Sequence, residues 1–139
     1  MSRKYVLDAS ALLRFIEDMP GGARVEELLF ELESGECDVA ISAVNWGEVY
    51  FVISRKSGEE RARWFSEKFR NLPAQIVPAD YSQAEHAAHF RKNFSLSYAD
   101  AFAASLAASR RATLVTGDYD FKIVAGKSSV EFLPSIRKR

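Results

Sequence analysis

Three acidic residues are each the only charged side chain in a strongly apolar stretch of this 139-residue chain. They are Asp8 in YVLDASALL, Glu48 in VAISAVNWGEVYFVIS and Asp100 in FSLSYADAFAASLAAS. Burying a carboxylate costs much of its solvation energy unless a cation lies beside it, and none of these stretches contains Lys or Arg. A fourth acid, Asp118, follows the apolar segment 112–115. If the fold gathers the four acids, the simplest counter-ion is a hard divalent metal, because carboxylate oxygens suit Mg²⁺ or Mn²⁺.

Alternating strand and helix patterns must position these acids. Short apolar runs predict strands over 4–7, 38–41, 75–77, 113–115 and 130–133. Apolar residues at helical spacing predict helices over 10–16, 23–33, 42–56, 59–71 and 82–94, and a last one starting at Ser97. The alternation predicts an α/β fold, with a parallel sheet of four to five strands covered by helices on both faces. Ligands of such sheets bind at the carboxyl ends of the strands, where Asp8 and Asp118 are expected.

Each acid also has an ordinary local interpretation. Asp8, Asp118 and Asp120 suit turns, and Glu48 suits the water-facing side of a helix. Asp100 follows a serine by three residues, a spacing typical of a helix cap. Four acids falling independently in apolar contexts on one α/β pattern favours the shared metal site over four unrelated local roles.

Composition narrows the class of protein. With 47% hydrophobic and 27% charged residues, the chain is expected to form one domain over residues 1–139. Its formal net charge is zero, and a single cysteine, Cys37, excludes an internal disulfide. No apolar run reaches the roughly 18 residues of a membrane span, and Asp8 interrupts the apolarity that a signal peptide requires. We therefore expect a cytoplasmic protein without a membrane partner.

Other chemistries fit the residues less well. A cysteine nucleophile needs a partnered thiol, and the two histidines, His86 and His89, lie together in one helical segment without a nearby cysteine for a zinc site. The chain contains no glycine-rich phosphate loop. A receiver-like phosphoacceptor domain should have paired acids near its start, whereas this chain has only Asp8 there.

Four motifs in order, VLDAS, NWGEV, YADAFAASLA and LVTGDYDF, resemble the PIN domain family and, within it, the VapC-type toxins of bacteria and archaea. The resemblance covers nearly the whole chain and implies a PIN-like three-layer α/β/α fold. It implies that four acids occupy the catalytic and metal-binding positions, namely Asp8, Glu48, Asp100 and Asp118. Four further residues are expected to support them, namely Ser10, Thr116, Asp120 and Asn45. Ser10 could instead serve only as a helix cap, and either Asp118 or Asp120 could provide the fourth acid.

The resemblance also implies a function. It is metal-dependent hydrolysis of RNA phosphodiester bonds, with Mg²⁺ or Mn²⁺ activating water and neutralising phosphate charge. The resembled toxins are homodimers inhibited by a small DNA-binding antitoxin. The alternative is a catalytically silent PIN-like binding module that acts through dimerisation and a protein partner.

RNA and protein contacts are also predicted. Arg14, close to Ser10, is the first candidate for RNA binding. Further RNA-binding candidates are Arg55, Lys56, Arg91, Lys92 and Lys122, with Tyr98 and Tyr119 as stacking groups. The helix over 42–56 is apolar nearly all round, which predicts that part of it is covered by another chain. The expected anchors of a dimer interface or antitoxin groove are Trp46, Tyr50, Trp64 and Phe65.

Overall fold

A computed structural model describes residues 3–136 and contains one five-stranded parallel sheet. The strands are β1 Arg3–Leu7, β2 Cys37–Ser42, β3 Gln75–Val77, β4 Thr113–Thr116 and β5 Val130–Phe132. The helices are α1 Ala9–Ile16, α2 Gly22–Glu33, α3 Ala43–Ser57, α4 Glu59–Arg70, α5 Tyr81–Phe94 and α6 Tyr98–Arg110. A 3₁₀ helix, Tyr119–Val124, connects β4 to β5. These elements confirm the predicted α/β class and lie close to the predicted ranges.

The strand order, β3-β2-β1-β4-β5, explains where a ligand site can form. From β1 the chain crosses to β2 on one side, and the later strands β4 and β5 are added on the other side. The connections after β1 and β4 therefore diverge, and a crevice opens at the carboxyl ends of these two strands. Their register pairs Leu7 with Val115, so the residues that follow each strand are neighbours.

Strand side chains alternate between two buried clusters, which makes the fold three layers. Tyr5 and Leu7 pack with α1 to α4 on one face, whereas Val6 packs with α5, α6 and the 3₁₀ helix on the other. Both faces are covered, as expected for a parallel sheet. Within residues 3–136, no helix is both long enough and apolar enough to cross a membrane.

Helix α3 is less covered than its composition predicts. Only Asn45, Val49 and Ile53 are buried, and they form a single stripe facing the core. Helix α4 covers part of the remaining surface, with the ring of Trp46 stacked 4.9 Å from that of Phe69. Phe51 stays 60% exposed, although α3 contacts α1, α4 and α6 as well as the sheet.

Candidate metal centre

Two of the predicted acids, Asp100 and Asp118, come together with Asp120 near the carboxyl edge of the sheet, and Asp8 and Glu48 lie within range of charge interactions with Asp100. Asp8 directly follows β1 and caps α1, and Asp118 follows β4 and caps the 3₁₀ helix. Asp100 lies in the first turn of α6, and Glu48 lies in the second turn of α3. Helix α6 packs against β1, β2, β4 and α3, so residues from distant parts of the sequence share one crevice.

Asp8 is the most buried of the predicted acids, with only 3% of its surface exposed. Its Oδ1 accepts hydrogen bonds from the Ser10 hydroxyl (2.7 Å) and the Ala11 amide (2.9 Å). Its Oδ2 accepts one from the Thr116 hydroxyl (2.5 Å). Burial raises the pKa of Asp8 from 3.8 to about 6, the hydrogen bonds lower it, and the charge of Asp100 adds to the increase.

Ser10 and Thr116 connect the two strand ends, which is more than either local interpretation predicts. The helix cap is Asp8, so the alternative in which Ser10 serves only as the cap of α1 is wrong. The Ser10 hydroxyl accepts from the Gly117 amide (2.9 Å), and the fully buried Thr116 hydroxyl accepts from the Asp118 amide (2.9 Å). These two hydroxyls therefore hold the loop after β4 against Asp8.

Three carboxylates form a compact group. Each of Asp100, Asp118 and Asp120 offers an oxygen, and these oxygens all lie within 4.8 Å of one another. Burial raises the pKa of Asp100 first, and the charges of Asp118, Glu48 and Asp120 raise it further. Asp120 joins the group because the 3₁₀ helix begins immediately after Asp118, whose Oδ1 accepts the Asp120 amide (2.9 Å).

Glu48 lies at the exposed rim and is held there by Asn45. The Asn45 Nδ2 group donates both to Glu48 Oε1 and to the Ala99 carbonyl, each at 3.2 Å. Asn45 is 1% exposed, and its hydrogen bond to the Ala99 carbonyl ties α3 to the start of α6 beside Asp100. Among the described residues, its Oδ1 is the one buried side-chain polar atom without a hydrogen-bond partner.

Arg14, predicted from the sequence to contact RNA, is buried in the structure. It is 5% exposed, and its guanidinium donates to the carbonyls of Pro20 and Pro134 (both 2.7 Å) and of Gly117 (3.3 Å). These hydrogen bonds occupy the buried guanidinium and help to hold the loop after β4 in place. Arg14 is therefore not available as an RNA contact. The sequence signal that was overlooked is the apolar face on which Arg14 lies in ALLRFI.

The acids fit a divalent cation on the evidence of their surroundings. None of the ion pairs found among residues 3–136 includes Asp8, Glu48, Asp100, Asp118 or Asp120. The donor atoms are all oxygens, which suits a hard ion such as Mg²⁺ or Mn²⁺. Burial and the charges of neighbouring carboxylates raise the pKa of Asp8 and of Asp100, so both effects disfavour the charged acids. A bound cation would stabilise the charged forms and offset both effects.

Among the predicted RNA contacts, two cations contact aromatic rings beside the acids. The Arg91 guanidinium lies 6.0 Å from the ring centre of Tyr98, and the Lys122 ammonium lies 5.3 Å from that of Tyr119. Lys56 instead pairs with Glu17 at 2.9 Å.

Comparison with known proteins identifies a family profile that matches this sequence and solved structures that share its fold. A sequence profile of the PIN domain matches residues 5–127. No curated protein shows a significant sequence match. Similar solved structures include VapBC2 from Rickettsia felis bound to a promoter DNA fragment, with 20% identity, coverage of 94% of this chain and 99% of that chain, and a TM-score of 0.73.

Two further structures share the fold. A toxin-antitoxin complex from Klebsiella pneumoniae contains a chain with 23% identity, coverage of 95% of this chain and 99% of that chain, and a TM-score of 0.69. VapC20 from Mycobacterium tuberculosis, described as a toxin that cleaves the sarcin-ricin loop, has 16% identity, coverage of 94% and 99%, and a TM-score of 0.67. At these identities the likeness concerns the fold.

Proposed function

The chain belongs to the PIN domain family, and we propose that it is a metal-dependent endoribonuclease, the toxin of a toxin-antitoxin pair. The observation that carries the proposal is the Asp8 carboxylate, buried beside Asp100 with only uncharged hydrogen-bond donors. Burying an acid without a neighbouring cation is unfavourable, and these acids lie at the edge where α/β sheets bind ligands. A bound cation would account for both features.

Five acids at this edge of the sheet are candidates to hold the metal ion. Asp8, Asp100 and Asp118 would hold Mg²⁺ or Mn²⁺, with Glu48 or Asp120 completing the oxygen donors. The ion, when bound, supplies an activated water and neutralises charge on the phosphate. Ser10, Thr116 and Asn45 are positioning residues, since each donates to one of these carboxylates.

RNA is the proposed substrate, and an antitoxin is the proposed partner. Support for RNA comes from the two cations over aromatic rings beside the acids and from the structural likeness to VapC20, a toxin that cleaves the sarcin-ricin loop. Support for a protein partner comes from the toxin-antitoxin complexes that share the fold and from an apolar groove between α2 and α4. We name this the α2–α4 groove. Its volume is about 420 Å³, and it is lined by Phe15, Glu26, Leu29, Phe30, Glu33, Trp64, Phe65, Lys68, Phe69 and Leu72.

Cleavage of RNA with and without divalent metal tests the catalytic proposal. We expect cleavage in Mg²⁺ or Mn²⁺, none in excess chelator, and products with 5′ phosphates, because water attacks the phosphorus, the bond to the 3′ oxygen breaks, and the 3′ oxygen leaves with a proton as the upstream 3′ hydroxyl. Full activity in chelator, or products ending in 2′,3′-cyclic phosphates, would contradict it. Binding of Mn²⁺ without cleavage of any RNA would favour the alternative, a silent binding module.

Variants at the start of α6 separate the site from the scaffold. Asp100→Asn should abolish cleavage while leaving stability unchanged or higher, because the helix cap is the Ser97 hydroxyl, which accepts from the Asp100 amide (3.2 Å). Ser97→Ala should cost about 1 kcal/mol of stability and retain cleavage. Asp38→Asn, an exposed acid on β2, is the matched control for charge. Thermal melts and the cleavage assay measure both effects.

A further inference from the structure

A small pocket opens directly beside the acid group, between the loop 95–97 and the 3₁₀ helix. Its volume is about 240 Å³, and two of its wall residues, Asp100 and Asp120, belong to the three-carboxylate group. Sites for drug-sized ligands measure roughly 300–1,000 Å³. The pocket therefore has room for one ring system rather than for an oligonucleotide or a peptide.

The pocket has two chemically different sides. Phe94, Leu96 and Ile123 provide apolar walls, and Ile123 keeps 53% of its surface exposed. Ser95, Ser97, Asp100 and Asp120 provide hydroxyls and carboxylates on the other side. Phe94 is backed by Phe90, with ring centres 5.4 Å apart, so this wall is a packed surface.

These walls restrict the ligand to a flat, partly apolar group with hydrogen-bond donors on its edge. Where no metal ion lies between them, Asp100 and Asp120 repel a phosphate, so the pocket itself suits an uncharged group. A planar base can contact the apolar side with its faces and direct amino groups to the carboxylates. Because the pocket adjoins the acids, such a base would belong to a nucleotide next to the bond being cut.

Building on the proposed ribonuclease function, we propose that this pocket binds the base beside the scissile phosphodiester and selects bases with an exocyclic amine over uracil. Adenine, cytosine and guanine each carry an amino group that can donate to the Asp120 carboxylate, with Glu48 rather than Asp120 completing the metal site. Uracil presents two carbonyls around its single N–H, and these face the carboxylates unfavourably. Tyr98 follows the pocket residue Ser97 in the chain and has the Arg91 guanidinium 6.0 Å from its ring centre, so these two side chains can contact the neighbouring nucleotide.

The test varies the apolar wall, away from the acids. Ile123→Trp fills the pocket and Ile123→Ala enlarges it, and neither should unfold the protein, since Ile123 is largely exposed. Ile136→Trp is the matched control, an isoleucine with 44% exposure that does not line the pocket. Short RNAs randomised around the cut are cleaved in Mg²⁺ and sequenced. Binding of labelled RNAs that differ only at the selected position is measured by fluorescence anisotropy in the Asp8→Asn background.

Wild type should discriminate against uracil at one position beside the cut by about tenfold. Ile123→Trp and Ile123→Ala should reduce this preference to about twofold or less, in cleavage and in binding, while Ile136→Trp keeps it. An unchanged preference in both Ile123 variants, or none in wild type, overturns the pocket proposal and leaves the ribonuclease proposal standing. Absence of cleavage of every RNA overturns the ribonuclease proposal and, with it, this inference.

Discussion

At the residue scale, the surroundings of Asp8 act on its pKa in opposite directions. Burial and the nearby charge of Asp100 raise its pKa, although three hydrogen bonds favour its charged form. In metal-free protein the folded state therefore binds a proton more tightly than the unfolded state. The corresponding contribution to stability is present at low pH and is lost as pH rises from 3.8 to about 6.

The raised pKa of Asp8 predicts how the stability of the protein depends on pH. Relative to wild type, metal-free Asp8→Asn should gain about 2 kcal/mol in unfolding free energy between pH 4.5 and pH 7, because asparagine does not ionise. Urea unfolding in chelator at the two pH values measures the gain. Saturating Mg²⁺ should remove most of it, since the cation stabilises the charged carboxylate of wild type. A difference between the two proteins that does not vary with pH would contradict the pKa of about 6.

At the element scale, the connection from β4 to the 3₁₀ helix is fixed from two sides. Ser10 and Thr116 bind its amides, and the buried Arg14 guanidinium binds the carbonyl of Gly117. A Cβ atom added at Gly117 would lie 2.5 Å from Arg14 Nη2. Arg14 cannot easily move, because it also holds the carbonyls of Pro20 and Pro134.

Gly117→Ala should therefore destabilise the protein by about 1–3 kcal/mol and weaken Mn²⁺ binding, because displacement of the loop misplaces Asp118. Gly126→Ala is the matched control, since nothing lies within 4 Å of a Cβ added there. Urea unfolding and calorimetric titration with Mn²⁺ measure the two effects. Equal stability and equal affinity in the two variants would show that the loop adapts, and that Arg14 does not constrain it.

At the scale of the whole molecule, apolar surface remains on the face formed by α1 to α4. Phe30 is 67% exposed and Trp64 is 46% exposed at the α2–α4 groove. Two of the anchors predicted from the sequence, Trp64 and Phe65, line this groove, whereas Trp46 and Tyr50 pack beside the core on α3. Aromatic side chains of this kind often carry the binding energy of an interface.

We expect a homodimer in solution, or a groove occupied by an antitoxin, with Trp64 as an anchor. Trp64→Glu should weaken self-association or antitoxin binding at least about tenfold, because it places a charge in a desolvated contact. Tyr81→Glu on α5, with 91% exposure, is the matched control. Light scattering at micromolar concentration and co-purification with the antitoxin provide the measurements. A monomeric wild type contradicts the homodimer, and antitoxin binding unaffected by Trp64→Glu contradicts the groove.

Local sequence patterns determined most of the architecture. The apolar runs of β1 and β4 and the helical spacing in α2 and α4 predict their elements, because burial on a sheet or a helix face follows a short period along the chain. The isolation of Asp8 and Asp100 in apolar stretches likewise predicts buried acids, since solvation dictates that such groups need a partner.

Only the tertiary structure decided which polar groups meet. That the Ser10 and Thr116 hydroxyls join the loop after β4 to Asp8, and that Arg14 is buried against the carbonyls of Gly117 and Pro134, depends on contacts of the residues after β1 with those around the ends of β4 and β5. These contacts join residues more than a hundred positions apart, so neither spacing nor local propensity specifies them. The pocket beside the acids arises in the same way, from the packing of the loop 95–97 against the 3₁₀ helix.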